Sequence, residues 1–493
     1  MITFYFSGHN FEYESRNDLR IFDLNIDYEI KSIEELENNK GLGLASVLEE
    51  KDNLITGSAC LYYDNKLLFE SKFTSDEIIL ESVSSKRIKK ILIVKAMHNV
   101  LRKYYDYTPQ YGILTGVRVV KKIITAISNG KSKFEATSIL KNTYEVLEDK
   151  INLLWGIYSI EEKYINEEIN KKNYNLYLGI PFCPSKCSYC SFTSFINKTE
   201  SKIDDYIDCL IYETEETIKM AIENKLNLNT VYIGGGTPSV LNENQIDKIF
   251  ETIRKYYDLS KLKEVTFEAG RPDTLTFSKL SCLKKNGVCR ISINPQTMNG
   301  DTLQGVGRNH SIEDIKLKYE MARNVGFDCI NMDVILGLPG ENELDVKNTI
   351  VEILKLKPEN ITVHALAYKA KAELTREVKE LNKDYDLIGK MHDVIMTECK
   401  NAGYEPYYMY RQKNIKGNSD NIGFTLLNKE SLYNIVIIEE IETILACGLG
   451  ASSKIKMKDG RHLPFRNFKS LEEYKGRMNE IIEKKKELLE VIQ

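Results

Sequence analysis

Three cysteines within eight residues carry the most specific chemistry in this sequence: Cys183-Pro-Ser-Lys-Cys187-Ser-Tyr-Cys190, a C-x3-C-x2-C pattern. One short loop can wrap three such thiolates around a 4Fe–4S cube, each on its own iron, which leaves the fourth iron open to another ligand. A zinc site wants four ligands and usually pairs of C-x2-C. Here a fourth ligand would have to come from a distant cysteine such as Cys209. Cys209 lies beside the apolar stripe Ile203, Tyr206, Ile207, Leu210 and Ile211 of an expected helix, which suits a core position. The spacing therefore favours iron–sulfur over zinc.

A second set of unusual residues recurs downstream. Gly234-Gly235-Gly236-Thr237-Pro238 offers backbone amides and carbonyls that a ligand can approach without a side chain in the way. Glu268 precedes Gly270-Arg271-Pro272, and Asn294-Pro295-Gln296 is followed by Gly307-Arg308-Asn309-His310. Asp333-Val334-Ile335 leads into Gly337-Leu338-Pro339-Gly340, and His364-Ala365-Leu366 into Ala367. Taken singly, Glu268, Arg308 or Asp333 reads as an ordinary surface or ion-paired residue. Their common position relative to the surrounding elements is what sets them apart.

Those elements are short β-rich runs at 176–180, 231–233, 265–267, 290–293, 330–335 and 361–366. Helical stretches separate them, and strands alternating with helices read as βα units on a parallel sheet. Six units suit a partial (β/α)6 barrel better than a closed eight-stranded one. In parallel barrels the chemistry gathers at the strand C-termini, and each polar group above falls at or just after a strand end.

Two flanking regions complete an α/β chain. Residues 1–170 read as an N-terminal α+β domain. A hairpin is expected from the runs 54–63 and 66–73 joined by Asp64-Asn65, and a helix from Ile88, Ile91, Val94, Met97, Val100 and Leu101. Further helices are expected over 117–128, 133–141 and 144–166. Residues 171–383 form the barrel. Residues 384–493 form a C-terminal α/β extension expected to cover the substrate, with an aromatic-rich stretch at 404–410, a strand at 432–438 and a charged amphipathic helix from 469.

Length and composition agree with this. The chain of 493 residues suits two or three domains, and 42% hydrophobic with 28% charged residues is a globular balance. A net charge of -4 argues against wholesale nucleic-acid binding, although the stretch 121–141 is basic. No run approaches the ~18 apolar residues of a membrane span. The start, Met1-Ile-Thr-Phe-Tyr-Phe, has no basic region or cleavage site, so a cytoplasmic protein without a leader is expected.

The cysteine spacing, the glycine run one strand later and the order of strand-end residues resemble the radical S-adenosylmethionine (SAM) superfamily. Within it they resemble the oxygen-independent coproporphyrinogen III oxidases over about residues 174–380. Tyr177-Leu-Gly-Ile-Pro-Phe-Cys183 matches that family's Tyr-x-His-Ile-Pro-Phe-Cys opening except at Gly179. Tyr111-Gly-Ile-Leu-Thr-Gly-Val-Arg118 and Tyr410-Arg411-Gln412-Lys413-Asn414 resemble the longer, HemZ-type coproporphyrinogen dehydrogenase branch. One departure stands out: the best-known oxidases continue as C-x2-C-x-C, whereas Cys190 here is followed by Ser191 and Phe192.

The resemblance implies a 4Fe–4S cluster on Cys183, Cys187 and Cys190 and SAM contacts from Tyr177, Gly235, Gly236, Thr237, Glu268, Gln296, Arg308, Asp333, Ile335 and Ala367. It implies cleavage of SAM to a 5′-deoxyadenosyl radical and oxidative decarboxylation of coproporphyrinogen propionates to vinyl groups, with flavodoxin or ferredoxin as electron donor. The substrate carries four carboxylates, and arginine binds carboxylates bidentately, so Arg271, Arg290 and Arg411 are the candidates for holding them. Haem-binding or haem-transfer relatives, a haem-ring-opening enzyme and an RNA-modifying enzyme are the alternatives. The haem-transfer relatives carry a C-terminal His-Asn-x-x-Tyr-Trp segment, while the one tryptophan here is Trp155.

Overall fold

The computed structural model describes residues 1–23, 26–80, 84–168, 172–192, 194–196, 199–366, 385–411, 420–458 and 460–490. It divides into two compact units, Met1–Tyr158 with Tyr410–Asn418, and Ser159–Met409 with Ser419–Gln493. Both domain boundaries expected from sequence, at 170/171 and 383/384, touch positions outside the described residues.

The first unit is a five-stranded sheet of β1 (Ile2–Ser7), β2 (Tyr28–Ser32), β3 (Leu42–Lys51), β4 (Leu54–Tyr63) and β5 (Lys66–Thr74) in the order β2-β1-β3-β4-β5. The helices Glu12–Phe22 and Ser85–Tyr105 add Leu19, Phe22, Met97, Val100 and Leu101 to its core. The β4–β5 hairpin turns at Asp64 (φ 46°) and Asn65 (φ 62°), two positive-φ positions in the manner of a type I′ turn. Of the helices expected near 117–166, the structure forms Lys121–Ser128, Lys133–Ser138 and Glu148–Glu168.

The second unit holds the barrel. Its parallel strands are β6 (Asn173–Ile180), β9 (Asn227–Gly235), β10 (Glu264–Phe267), β11 (Arg290–Ser292), β12 (Ile330–Leu336) and β13 (Asn360–Ala365), the six read from sequence. The short strands β7 (Phe182–Cys183) and β8 (Phe195–Ile196) pair with each other beside them. Beyond β13 the sheet continues through β15 (Asp420–Thr425) to β14 (Glu405–Arg411). Beyond β6 it continues through β16 (Thr443–Cys447), β17 (Ser452–Lys456) and β18 (His462–Arg466). The sheet is open, with β14 and β18 as its ends.

Helix starts between the strands follow local chemistry. Asn242 with Gln245, Ser311 with Asp314 and Asn342 with Asp345 form reciprocal caps for the helices Glu243–Arg254, Ile312–Val325 and Glu343–Leu356. These helices bury Ile246, Ile249 and Phe250, Ile315 and Tyr319, and Val346 and Ile350.

Side chains of a strand alternate between the two faces of the sheet. Leu176 and Leu178, Val231 and Ile233, Val265 and Phe267, and Ile361 and Val363 form one fully buried apolar face. The other face is polar: Asn175 and Tyr177, Thr230 and Tyr232, Glu264, Thr266 and Glu268, Arg290 and Ser292, Asn331 and Asp333, Thr362 and His364. Hydrogen bonds bind that face together, Thr230 to Asn175 at 2.7 Å and Thr362 to Asn331 at 2.9 Å among them.

The region after 384 departs from expectation. Residues 432–438, read as a strand, belong to the helix Leu432–Glu439, because Ser431 caps Asn434 and the apolar run is buried around most of its girth. The next stretch becomes β16, a further parallel strand beside β6. Residues 425–432 reach the starts of the barrel strands. Glu264, first in β10, accepts from Ser431 Oγ (2.9 Å) and the Leu432 N–H (2.8 Å), and Asn360, first in β13, donates to the Lys429 carbonyl at 2.9 Å. This stretch seals the end of the barrel opposite the strand C-termini.

Candidate functional site

At the C-terminal ends of the strands the second unit opens a cavity of about 310 Å³ whose walls include all three clustered cysteines. The cysteine loop follows β6 and is fixed from several sides. The Ser188 N–H donates to the Val306 carbonyl at 3.2 Å, and the Cys190 N–H to the Cys187 carbonyl at 3.0 Å. Burial pushes the Cys190 thiol up, and its two neighbouring cysteines add to the effect.

The glycine run is packed against this loop. The Gly236 N–H reaches the Ile180 carbonyl at 2.8 Å and the Thr237 N–H the Phe182 carbonyl at 2.7 Å. A Cβ on Gly236 would come within 2.7 Å of the Phe182 oxygen and 3.0 Å of Cys183 Sγ. Gly235 sits at φ +119°, a conformation open to glycine. Thr237 Oγ1 donates to Cys183 Sγ at 3.4 Å.

Across the cavity stand two carboxylates from the polar face. Glu268 accepts from Tyr232 Oη at 2.5 Å and from the Gly235 N–H at 3.1 Å. Burial pushes Glu268 up to about 7; Asp333 adds to the rise, and these two donors oppose it. Asp333 accepts from Asn294 Nδ2 (2.8 Å) and Asn331 Nδ2 (2.7 Å), with His364 Nε2 at 3.8 Å. Gln296, in the loop after β11, bridges to Val334 of β12 through its backbone at φ +70°, which is strained for a residue with a side chain. Arg308 is buried, with Nη1 on the Asn294 carbonyl (2.5 Å) and Nε on Tyr189 Oη (3.2 Å).

Eight of the ten residues expected around SAM therefore line one cavity: Tyr177, Gly235, Gly236, Thr237, Glu268, Gln296, Arg308 and Asp333. Ile335 is buried behind the wall, in an apolar cluster with Val306, Leu338 and Leu366 that packs on Tyr189. Ala367 lies outside the described residues.

The three arginines expected at the substrate differ in place, and Arg290 needs correction. Arg290 is the first residue of β11, at the far end of the barrel, where it donates to Asn360 Oδ1 and to the Lys429 and Glu430 carbonyls. It is a structural clamp. Arg411 belongs to the other unit, stacked 4.4 Å from the Tyr111 ring centroid and donating to the Leu114 carbonyl. Arg271 does line the cavity, but it is 4% exposed and all three of its nitrogens are engaged within the protein.

Tyr189, Ser185 and Lys186 also line the cavity without having been named as site residues from sequence, and so does Phe192, noted there only as a departure from the family's motif. All belong to or adjoin the cysteine motif, so its intervening positions were the available signal. Phe192, where a C-x2-C-x-C motif would place its last thiol, is 69% exposed.

The site fits the expected cluster by its donor set and by the side-chain-free cradle at Gly236. Among the described residues no three His, Cys, Asp or Glu side chains converge tightly enough for a single metal ion. Thiols that each hold a different iron of a cube need no such convergence. Among the described residues no helix is long and apolar enough to cross a membrane.

The family profile described as the radical SAM superfamily matches residues 177–353. The oxygen-independent coproporphyrinogen-III oxidase-like protein HemZ of Bacillus subtilis (strain 168) is 36% identical over 427 residues, 86% of this chain and 85% of that protein. The haem chaperone HemW of the same organism is 32% identical over 235 residues, 47% of this chain and 61% of that protein. The solved structure of coproporphyrinogen III oxidase (HemN) from Escherichia coli, a radical SAM enzyme, aligns with TM-score 0.53 at 21% identity over 65% of this chain and 72% of that chain. At that identity the likeness is one of fold.

Proposed function

From the premise that the chain belongs to the radical SAM family of HemZ and its coproporphyrinogen-oxidase-like relatives, we propose that it oxidatively decarboxylates coproporphyrinogen III to protoporphyrinogen IX. The family's cofactors are a 4Fe–4S cluster and SAM. The observation that carries the reading is the one cavity that sets three thiols opposite two half-buried carboxylates at the strand ends.

In that cavity Cys183, Cys187 and Cys190 would hold the cluster. When bound, cluster and SAM supply hydrogen-atom abstraction from an unactivated carbon by one-electron chemistry. The chain's own residues do the rest. The Glu268 carboxylate receives the positive charge of SAM, and the glycine run gives it backbone contacts free of side chains. Asp333, held by two asparagines, is an oriented acceptor for hydroxyl groups. Tyr177 and the buried Arg308 close the wall against water. Lys186, exposed on the cysteine loop, brings positive charge to an anionic substrate. Each of the two propionates that react would lose a hydrogen atom, CO2 and one electron to become a vinyl group, and the other two would stay as carboxylates. The electron would go to an acceptor, and flavodoxin or ferredoxin would serve as the reductant for a cluster held by Cys183, Cys187 and Cys190.

Phe192 supports a second reading: an exposed aromatic face in place of a fourth thiol suits a flat macrocycle, so the chain would bind haem without decarboxylating a porphyrinogen. One experiment separates them. The anaerobically reconstituted protein is incubated with SAM, dithionite and coproporphyrinogen III, and products are read by mass spectrometry beside a haem titration. Loss of two CO2, abolished in C183A, C187A or C190A and retained in C209A, is the expected outcome. Unchanged porphyrinogen with stoichiometric haem binding selects the second reading.

A further inference from the structure

Arg271 follows the third barrel strand and lines the cavity, and its surroundings give it a task other than holding a substrate carboxylate. Its Nε and Nη2 bind the two oxygens of Asp273 at 3.0 and 2.8 Å, a bidentate pair that fixes the plane of the guanidinium. Its remaining nitrogen, Nη1, donates to Ser185 Oγ at 2.7 Å and lies 3.4 Å from the Ser185 carbonyl. The same nitrogen is 4.0 Å from Cys187 Sγ. Ser185 stands between the first two cysteines of the motif, so the guanidinium bridges Asp273 to the middle of the C-x3-C loop.

The group next to this bridge leaves its charge intact. His310 is buried behind it, its Nδ1 3.9 Å from Asp273, and neither ring nitrogen has a hydrogen-bond partner among the described residues. Burial, helped by Arg308 and Arg271, holds that ring down at about 4, so it is neutral near pH 7. Among the described residues, the charged groups near Cys187 include Arg271 with its partner Asp273, Arg308, and the exposed Lys186 beside it in the chain.

We propose that Arg271 is a positioning residue for the iron–sulfur cluster: aimed by Asp273, it pins the Ser185 turn and sets a positive N–H beside the Cys187 sulfur, raising the reduction potential of the cluster. The proposal rests on the three cysteines holding that cluster. Net charge and hydrogen bonds at the sulfurs are the protein's means of shifting such potentials. A cation there stabilises the state that has gained an electron.

The test compares wild type, R271Q and R271K after anaerobic reconstitution, reading iron per chain and the midpoint potential from a redox titration followed by electron paramagnetic resonance. Removing the charge in R271Q is expected to make the reduced cluster about tenfold less favourable, a fall of about 59 mV for one electron. R271K, which keeps the charge but not the fork, is expected to fall by less than half as much. Loading lost in R271Q but restored in R271K also supports the proposal, because the cation then holds the loop. A fully loaded R271Q with the wild-type potential overturns it, as does loading lost equally in both variants. A wild-type protein that takes up no cluster overturns the underlying assignment instead.

Discussion

Glu268 sits where a buried carboxyl has two hydrogen-bond donors but no cation against it, and it is pushed up to about 7. A bound cation at Glu268 favours the ionised form, so binding below that value must release a proton. SAM affinity is therefore expected to rise with pH by up to about tenfold per unit below 7 and to level off above 8. Isothermal titration from pH 6 to 8.5 checks this. E268Q is expected to bind SAM at least tenfold more weakly and to show no rise. An equally steep pH dependence in E268Q would remove the carboxyl from SAM recognition. The same residue bears on folding. Its folded value lies above the ordinary carboxylate value, so its contribution to stability is fullest below pH 4.5 and declines as pH rises toward 7.

Among the elements, the βα units were largely legible from sequence, because apolar runs alternate with amphipathic helices that begin at Asn242, Ser311 and Asn342 caps. The strand-end residues were legible by their types. Which of them share a face was present as the two-residue alternation of Glu264, Thr266 and Glu268, although the resemblance had already grouped the upper members. The helix Leu432–Glu439 was not legible, since a short apolar run is periodic in neither sense and tertiary burial decides its state. Arg290 shows a related limit: a buried arginine clamping carbonyls and one binding a ligand look the same in one dimension. The contact between β7 and the glycine run makes a sharper prediction. G236A must displace the Phe182 carbonyl or the cysteine loop, because its Cβ would lie 2.7 Å from that oxygen. Iron per chain is expected to fall several-fold in G236A, with far-ultraviolet circular dichroism unchanged. Full loading would show that the loop yields freely.

Across the second unit as a whole, the segment after β16 is anchored by a buried ion pair. Lys485 and Glu213 are both fully buried 2.7 Å apart, and Glu213 also accepts from Tyr474 Oη (2.6 Å), Asn467 Nδ2 (2.7 Å) and the Gly448 N–H (2.8 Å). K485M leaves that carboxylate buried without its cation, and a loss of about 3 kcal/mol is expected in urea unfolding. A double variant K485M/E213Q is expected to recover part of it. An undiminished K485M would mean that the three neutral donors suffice. The place of β16 has one more consequence, and it concerns time. The strand that leads into the cysteine loop is flanked on one side by β9 and on the other by residues 443–447. Tyr206 Oη, on the helix Glu200–Glu223, donates to the Gly179 carbonyl and accepts from the Leu449 N–H. A ribosome adding about 5–20 residues per second emits the three cysteines many seconds before it emits that neighbour. The nascent loop is thus born on an unfinished edge, and its cradle is complete when synthesis has passed residue 449.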